Sequence, residues 1–266
     1  MENRGLAADL KYQLYEATVQ SPEWQVKNMP LFHKKFTGQI GTSMREDFSG
    51  TGRISCDWAK KSKSNRAVGL DLDPEPLDFG ERMHRSRLKP EIRSRVTFIQ
   101  QDVLVPTREK FDMIGAHNFS FFIFLDRETL LKYAKAAFRS LNKRGTFFLE
   151  MAGGDGFIKP GSSEEKITVP GVGKIRYSWE QHQYDSVANT NDYSIHFKLP
   201  DGRWMNDEFR YHWRLWQIRE VREILSEAGF KRTEVLWPRD EKSGRYDAVE
   251  TGEHCDVWLA YVVGVK

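Results

Sequence analysis

Three acids close three apolar runs in the first half of this 266-residue chain: Glu46 after Ser43-Met44-Arg45, Asp71 after Ala67-Val68-Gly69-Leu70, and Asp102 at the end of Arg95–Gln101. Between the first two lies the turn Phe48-Ser49-Gly50-Thr51-Gly52. Glycine there admits positive φ and lets the backbone come close to a ligand. The segment after the turn, about Arg53 to Lys61, reads as a helix whose first amides point at the same spot. An acid about 20 residues beyond such a turn, at the end of a buried strand, hydrogen-bonds ribose hydroxyls. The layout specifies a nucleoside-cofactor site. The glycines do not choose the cofactor, because Gly50-Thr51-Gly52-Arg53-Ile54-Ser55 also reads as a degenerate dinucleotide fingerprint with Asp71 on the ribose of NAD(P).

A second set of reactive side chains follows. His117 and Asn118 end the run Phe111–Asn118, where a histidine could accept a proton from an N or O nucleophile near neutral pH. Packing at a strand end is the plainer role for His117. Glu150 and Asp155 flank the end of a later run, placed either to orient a cationic substrate or to cap a loop. Tyr177, Trp179, Tyr193, Tyr211, Trp213 and Trp216 crowd a stretch that suits the wall of a substrate pocket, a homodimer surface or plain core. Tyr12 and Tyr15, on an N-terminal helix, either close over the cofactor or pack.

The elements that would hold these groups follow from periodicity. Leu6, Leu10, Leu14 and Val19 have helical spacing, and Pro22 opens a second helix. Strands and helices then alternate from about residue 44 to 151, including an amphipathic helix near 126–141 closed by Asn142–Gly145. Strands that are apolar throughout argue for a parallel sheet covered on both faces. The rhythm changes to period-2 alternation from about 166 to 211, with Pro200-Asp201-Gly202 as a turn. That region reads as an inserted antiparallel sheet. Helix 217–229 and strands 230–236 and 255–263 complete the frame, with 237–252 a polar loop. The expected fold is α/β, a Rossmann-like, mostly parallel sheet with helices on both faces. The chain is expected to be one domain: a helical cap (1–40), a cofactor core (41–152), a β insertion (153–212) and the completion of the core (213–266).

Composition narrows the classes. A net charge of +3, with bases scattered among acids, gives no basic stripe for nucleic acid. No run of 18 apolar residues exists, so no membrane partner is expected, and the polar start shows no apolar leader. The two cysteines, Cys56 and Cys255, lie in no metal-ligand spacing; no metal is expected, and both read as buried thiols of a cytoplasmic protein.

The motif order resembles that of the class I S-adenosylmethionine-dependent methyltransferases, over about 44–151 and more loosely 213–263. The resemblance implies a small-molecule type with a β insertion before the last helix, like the glycine and amino-sugar N-methylating enzymes. It implies S-adenosyl-L-methionine as cofactor. By position, Glu46 then lies near the methionine part, Asp71 on both ribose hydroxyls, Leu72 against the adenine and Asp102 with Val103 near its amino group. Arg45, Phe48, Ser49, Gly50, Gly52, Asn118 and Tyr15 complete the expected cofactor contacts. His117, Tyr211 and Arg214 are the expected catalytic residues. The family usually has glycine where Phe48 stands, so Phe48 must either avoid positive φ or change the turn. Acids favour the cationic sulfonium, since Glu46 and Asp47 would repel a pyrophosphate. The expected reaction is methyl transfer to N or O of a small molecule. An NAD(P)-dependent oxidoreductase and a methyltransferase-like scaffold without turnover are the alternatives.

Overall fold

A computed structural model describes residues 2–239 and 244–266. Helices α1 (Glu2–Thr18) and α2 (Pro22–Thr37) precede an alternating core. The core comprises β1 (Ser43–Asp47), α3 (Arg53–Lys61), β2 (Arg66–Asp71), α4 (Pro74–Met83), α5 (Pro90–Arg93), β3 (Val96–Gln100), β4 (Phe111–Ala116), α6 (Arg127–Ser140) and β5 (Leu141–Gly153). Strands β6 (Gly161–Val169), β7 (Gly173–Gln181), β8 (Thr190–Lys198) and β9 (Trp204–Arg214) form a separate antiparallel sheet. Then come α7 (Ile218–Ala228), β10 (Arg232–Pro238), β11 (Tyr246–Val249) and β12 (Trp258–Val265). The main sheet has the order β11-β10-β12-β5-β4-β1-β2-β3. Strands β1 to β5 run parallel, while β12, β10 and β11 are antiparallel to their neighbours.

Local sequence explains the elements. Pro22 sits in the first turn of α2, where its missing N–H costs nothing, and left-handed Gly38 closes that helix. Asp126 caps α6 by accepting from the Thr129 amide at 2.7 Å. Gln217 and Glu220 form a capping box on α7, which ends at left-handed Gly229. The buried stripe of α7, Val221, Ile224, Leu225 and Ala228, packs with α6 residues and Phe147 on one face of the sheet. On the other face, α2 and α3 bury Val26, Met29, Ile54 and Trp58 against Met44, Ala67, Met113 and Phe148. Helix α1 roofs the second sheet through Leu14, which packs with Ile175, Ile195 and Phe197.

Three expectations change. Helix α6 hands over directly to β5 at Leu141, so Asn142–Gly145 is strand rather than cap, with Arg144 left-handed at φ 63°. The 237–252 segment contains a strand, β11, paired to β10; residues 240–243 of that segment lie outside the described residues. Cys56 is buried as expected, but Cys255 is half-exposed.

Candidate active site

The parallel strands end together; side chains at one level share a face of the sheet, and successive levels alternate. Glu46 is level with Gly69 and Gly115; Asp47 is level with Leu70 and Ala116. Glu46 points beneath the start of α3, where its Oε2 accepts from the Ser55 amide (2.8 Å) and the Ser55 hydroxyl (2.6 Å). A carboxylate at a helix N-terminus is well placed. Burial nevertheless raises its pKa to about 8, against the lowering by the Ser55 bonds.

The turn between β1 and α3 is built from left-handed residues: Phe48 (φ 54°), Gly50 (φ 52°) and Gly52 (φ 63°). Phe48 therefore adopts the glycine-like backbone and keeps the turn, rather than avoiding positive φ. Its ring is held against Phe124 (5.8 Å) and Tyr133 (5.7 Å), packing that offsets the cost of that conformation for an aromatic residue. At Gly52 even the space is lacking, since an added Cβ would lie 2.2 Å from the Phe98 ring. Asp71 at the end of β2 braces the turn, its Oδ2 accepting from the Gly50 amide at 2.7 Å. Asp71 is raised above the ordinary carboxylate range by burial. Beside it the apolar side chain of Leu72 is 66% exposed. Asp102 accepts from the Leu104 amide, and Val103 is buried in the core. The buried Ser49 hydroxyl has no hydrogen-bond partner.

Helix α1 closes the cradle from above. Glu16 accepts from the Thr51 hydroxyl and pairs with His84, each at 2.5 Å. The Tyr12 hydroxyl donates to Glu75 at 2.8 Å, and Arg82 pairs with Asp9. Glu16 was not singled out in the sequence, because nothing local ties a mid-helix acid to a turn 35 residues away.

Next to the cradle is a cavity of about 320 Å³ lined by Tyr15, Gln25, Asn118, Glu150, Phe157, Trp179, Tyr211 and Trp213, among others. Tyr15 sits between the two. Burial raises the pKa of its hydroxyl; Tyr211 and Asn118 interact with that hydroxyl, and both Glu150 and Asp71 act on it. Asn118 is left-handed (φ 51°), followed by left-handed Phe119, and its amide donates to Glu150 Oε2 at 2.8 Å. Tyr211 and Trp213, two residues apart on β9, present one face to the cavity and stack at 4.4 Å.

Three sequence-derived assignments are corrected. Arg45 does not reach a cofactor: its side chain is wholly buried on the opposite face of β1, in a two-pronged pair with Asp47 at 2.7 and 2.9 Å. Arg214 alternates away from the cavity. It bonds the Leu125 carbonyl and Glu220, and stacks 3.7 Å over Trp216. His117 is buried, neither ring nitrogen has a partner, and desolvation lowers its pKa to about 3. It is neutral at pH 7 and too weakly basic to act as the expected proton acceptor. Asp155 is exposed and outside the cavity. Glu150, by contrast, forms part of the cavity wall, and its signal was the same as that of Glu46 and Asp71: an acid at a strand end.

No family model matches the chain, and no curated protein matches it in sequence. Solved structures do match it over nearly its whole length. The sugar N-methyltransferase KedS8 from a Streptoalloteichus species has a TM-score of 0.69 at 16% identity, covering 95% of this chain and 91% of that one. DesVI of Streptomyces venezuelae has a TM-score of 0.69 at 16% identity, covering 96% and 97%. A third, CalS10, is an amino pentose methyltransferase from Micromonospora solved with S-adenosylmethionine bound (TM-score 0.67, 14% identity, 93% and 94% covered). The chain has the class I methyltransferase fold. In open α/β sheets ligands bind outside the carboxyl ends of the strands; here the ends of β1 and β2 carry Glu46 and Asp71, and Asp102 lies just past β3. The donor set suits a methyltransferase cofactor. Carboxylates, exposed Leu72 and an orphan Ser49 hydroxyl fit a cationic, ribose-bearing group with an apolar ring. They fit a pyrophosphate poorly, because the nearby Arg53 is paired with Glu16. Among the described residues no cluster of His, Cys, Asp and Glu could hold a metal, and no helix is long and apolar enough to cross a membrane.

Proposed function

We propose that the protein is an S-adenosylmethionine-dependent methyltransferase acting on N or O of a small molecule. The observation that supports this reading is the place of Tyr15: it lines the aromatic cavity beside Asn118 and Tyr211 and lies within electrostatic reach of Asp71 at the cradle. When bound, the cofactor supplies an electrophilic methyl group on a sulfonium. Asp71 would hold the ribose hydroxyls, Leu72 and Val103 would flank the adenine, and Asp102 would receive its amino group. The backbone of Ser49, Gly50 and Gly52, with Glu46 below, would hold the methionine part, and Phe48 would fix the turn. Tyr15 closes the cofactor side, while Tyr211 and the aromatic wall exclude water and align the acceptor. Orienting two reactants in this way contributes much of a displacement's acceleration.

The volume of the cavity and its aromatic lining support a small-molecule acceptor rather than a polymer. That KedS8 is a sugar N-methyltransferase and CalS10 an amino pentose methyltransferase agrees with that size. Two unpaired thiols agree with a cytoplasmic protein. The edge strand β6 of the second sheet leaves six consecutive residues exposed, Gly161–Lys166, which gives a homodimer somewhere to form. Thermal denaturation with S-adenosylhomocysteine or NAD(H) tests the assignment, because a ligand that binds only the native state raises its melting temperature. Stabilisation by S-adenosylhomocysteine alone is expected. Stabilisation by NAD(H) alone would replace this reading with a dehydrogenase. Cofactor binding without turnover of any amine, phenol or alcohol offered would favour a scaffold.

A further inference from the structure

Glu150 is an acid in an aromatic chamber with no cation of its own. Its side chain is 13% exposed, at the wall of the 320 Å³ cavity. It accepts from the Asn118 amide at 2.8 Å and interacts with the Tyr261 hydroxyl. Among the described residues the one basic group within 4.0 Å is His117, at 3.8 Å, and burial keeps that imidazole neutral. The same cavity is lined by the rings of Tyr211, Trp213 and Trp179, with centroids 4.4 and 6.0 Å apart along the wall. A buried carboxylate lacking a counter-ion is costly, and rings with negative faces attract cations. One cationic guest would answer both the carboxylate and the rings.

We propose that the cavity selects a cationic amine, an ammonium-bearing small molecule anchored by Glu150 and caged by Tyr211, Trp213 and Trp179, over neutral hydroxyl acceptors. The cation recognition stands by itself; only the transfer step rests on the methyltransferase reading. In that step the ammonium gives one proton to Glu150, and the freed nitrogen lone pair forms the N–CH3 bond. The C–S bond of the sulfonium breaks, its electron pair stays on sulfur, and the positive charge passes to the methylated nitrogen. The proton on Glu150 then leaves to solvent. Burial raises Glu150 above the ordinary carboxylate range, which makes it a better proton acceptor.

Benzylamine and benzyl alcohol have similar shape and differ in charge. Their binding to the full chain is read by tryptophan fluorescence at neutral pH, with and without saturating S-adenosylhomocysteine. The amine should bind the wild type about tenfold more tightly or better, the scale of one charge-assisted hydrogen bond. Glu150→Gln should bring the two probes level while leaving stabilisation by S-adenosylhomocysteine intact. If that variant does not fold, Glu150→Asp, which withdraws the charge by one methylene, should shrink the preference. No preference for the amine in the wild type, including no binding of either probe, overturns the proposal. So does a preference that survives in Glu150→Gln, or a variant that loses S-adenosylmethionine relative to S-adenosylhomocysteine while keeping the amine, since the carboxylate would then serve the sulfonium. A protein that prefers the amine but is not stabilised by S-adenosylhomocysteine would retain the cation site and lose the methyltransferase reading.

Discussion

Acids at strand ends carry most of the site, and burial decides how each behaves. Glu46 has a folded pKa near 8, above the unfolded carboxylate value, so its protonated form is favoured in the native state. Its contribution is therefore fully present below the unfolded pKa and is lost as pH rises through about 8. The ligand-free protein should lose thermal stability between roughly pH 5 and 8, and Glu46→Gln should flatten that slope; an unchanged slope would refute the assignment. Asp71 acts differently, because the turn leans on it. Asp71→Ala should abolish stabilisation by S-adenosylhomocysteine and cost about 1–3 kcal/mol without ligand, by orphaning the Gly50 amide. Full stabilisation surviving in that variant would show that Asp71 does not hold the ribose. The places of the acids and glycines in the candidate site were legible because they follow from local pattern: a residue type at a strand end or in the turn after it. Arg45, Arg214 and His117 were misread because side-chain direction decides their roles. Arg45 and Arg214 alternate to the far side of their strands, and His117 points under α2 rather than into the cavity.

At the scale of elements, the alternating core could be read from apolar runs and their breakers, and the antiparallel insertion from its change of period. What the sequence could not show is how α1 joins them. Its moderate amphipathic pattern announces a helix but not its seat on the Gly50 turn, which depends on Glu16, Thr51 and His84 meeting across the fold. The small strand β11 was also hidden, because Tyr246–Val249 is short and lies inside a polar stretch. If Glu16 anchors α1 over the cradle, Glu16→Ala should raise amide exchange in α1 near residues 12–18 while the exchange of β1, β2 and β4 stays protected. The variant should also bind S-adenosylhomocysteine more weakly, by roughly 3- to 30-fold for one or two lost hydrogen bonds. Unaltered exchange in α1 would mean that its apolar face, through Leu14, holds it without the polar contacts.

Across the whole molecule the question is whether the two sheets behave as two bodies. Their cores argue that they do not. Tyr193 and Trp213 of the second sheet belong to the same buried cluster as Phe147 and Leu149 of the first and Phe121 of the turn after β4. The Tyr193 hydroxyl also donates to the Phe157 carbonyl at 2.9 Å, and the Trp216 indole to the Phe124 carbonyl at 3.0 Å. Helix α1 adds a second tie, packing Leu14 into the insertion while Glu16 bonds Thr51 of the turn after β1. An insertion fixed this way cannot unfold without exposing the main core. Far-UV circular dichroism, reporting the helices of the main core, and the fluorescence of a variant that keeps only Trp179 and Trp213 of the insertion should therefore give one coincident thermal transition. At 100 times its dissociation constant, S-adenosylhomocysteine should contribute about 2.7 kcal/mol and move both probes together by roughly 5–10 °C. Two separated transitions, or a ligand shift confined to the dichroism, would instead describe a cofactor core carrying an independent β platform, and Tyr15 could not then couple cofactor to acceptor.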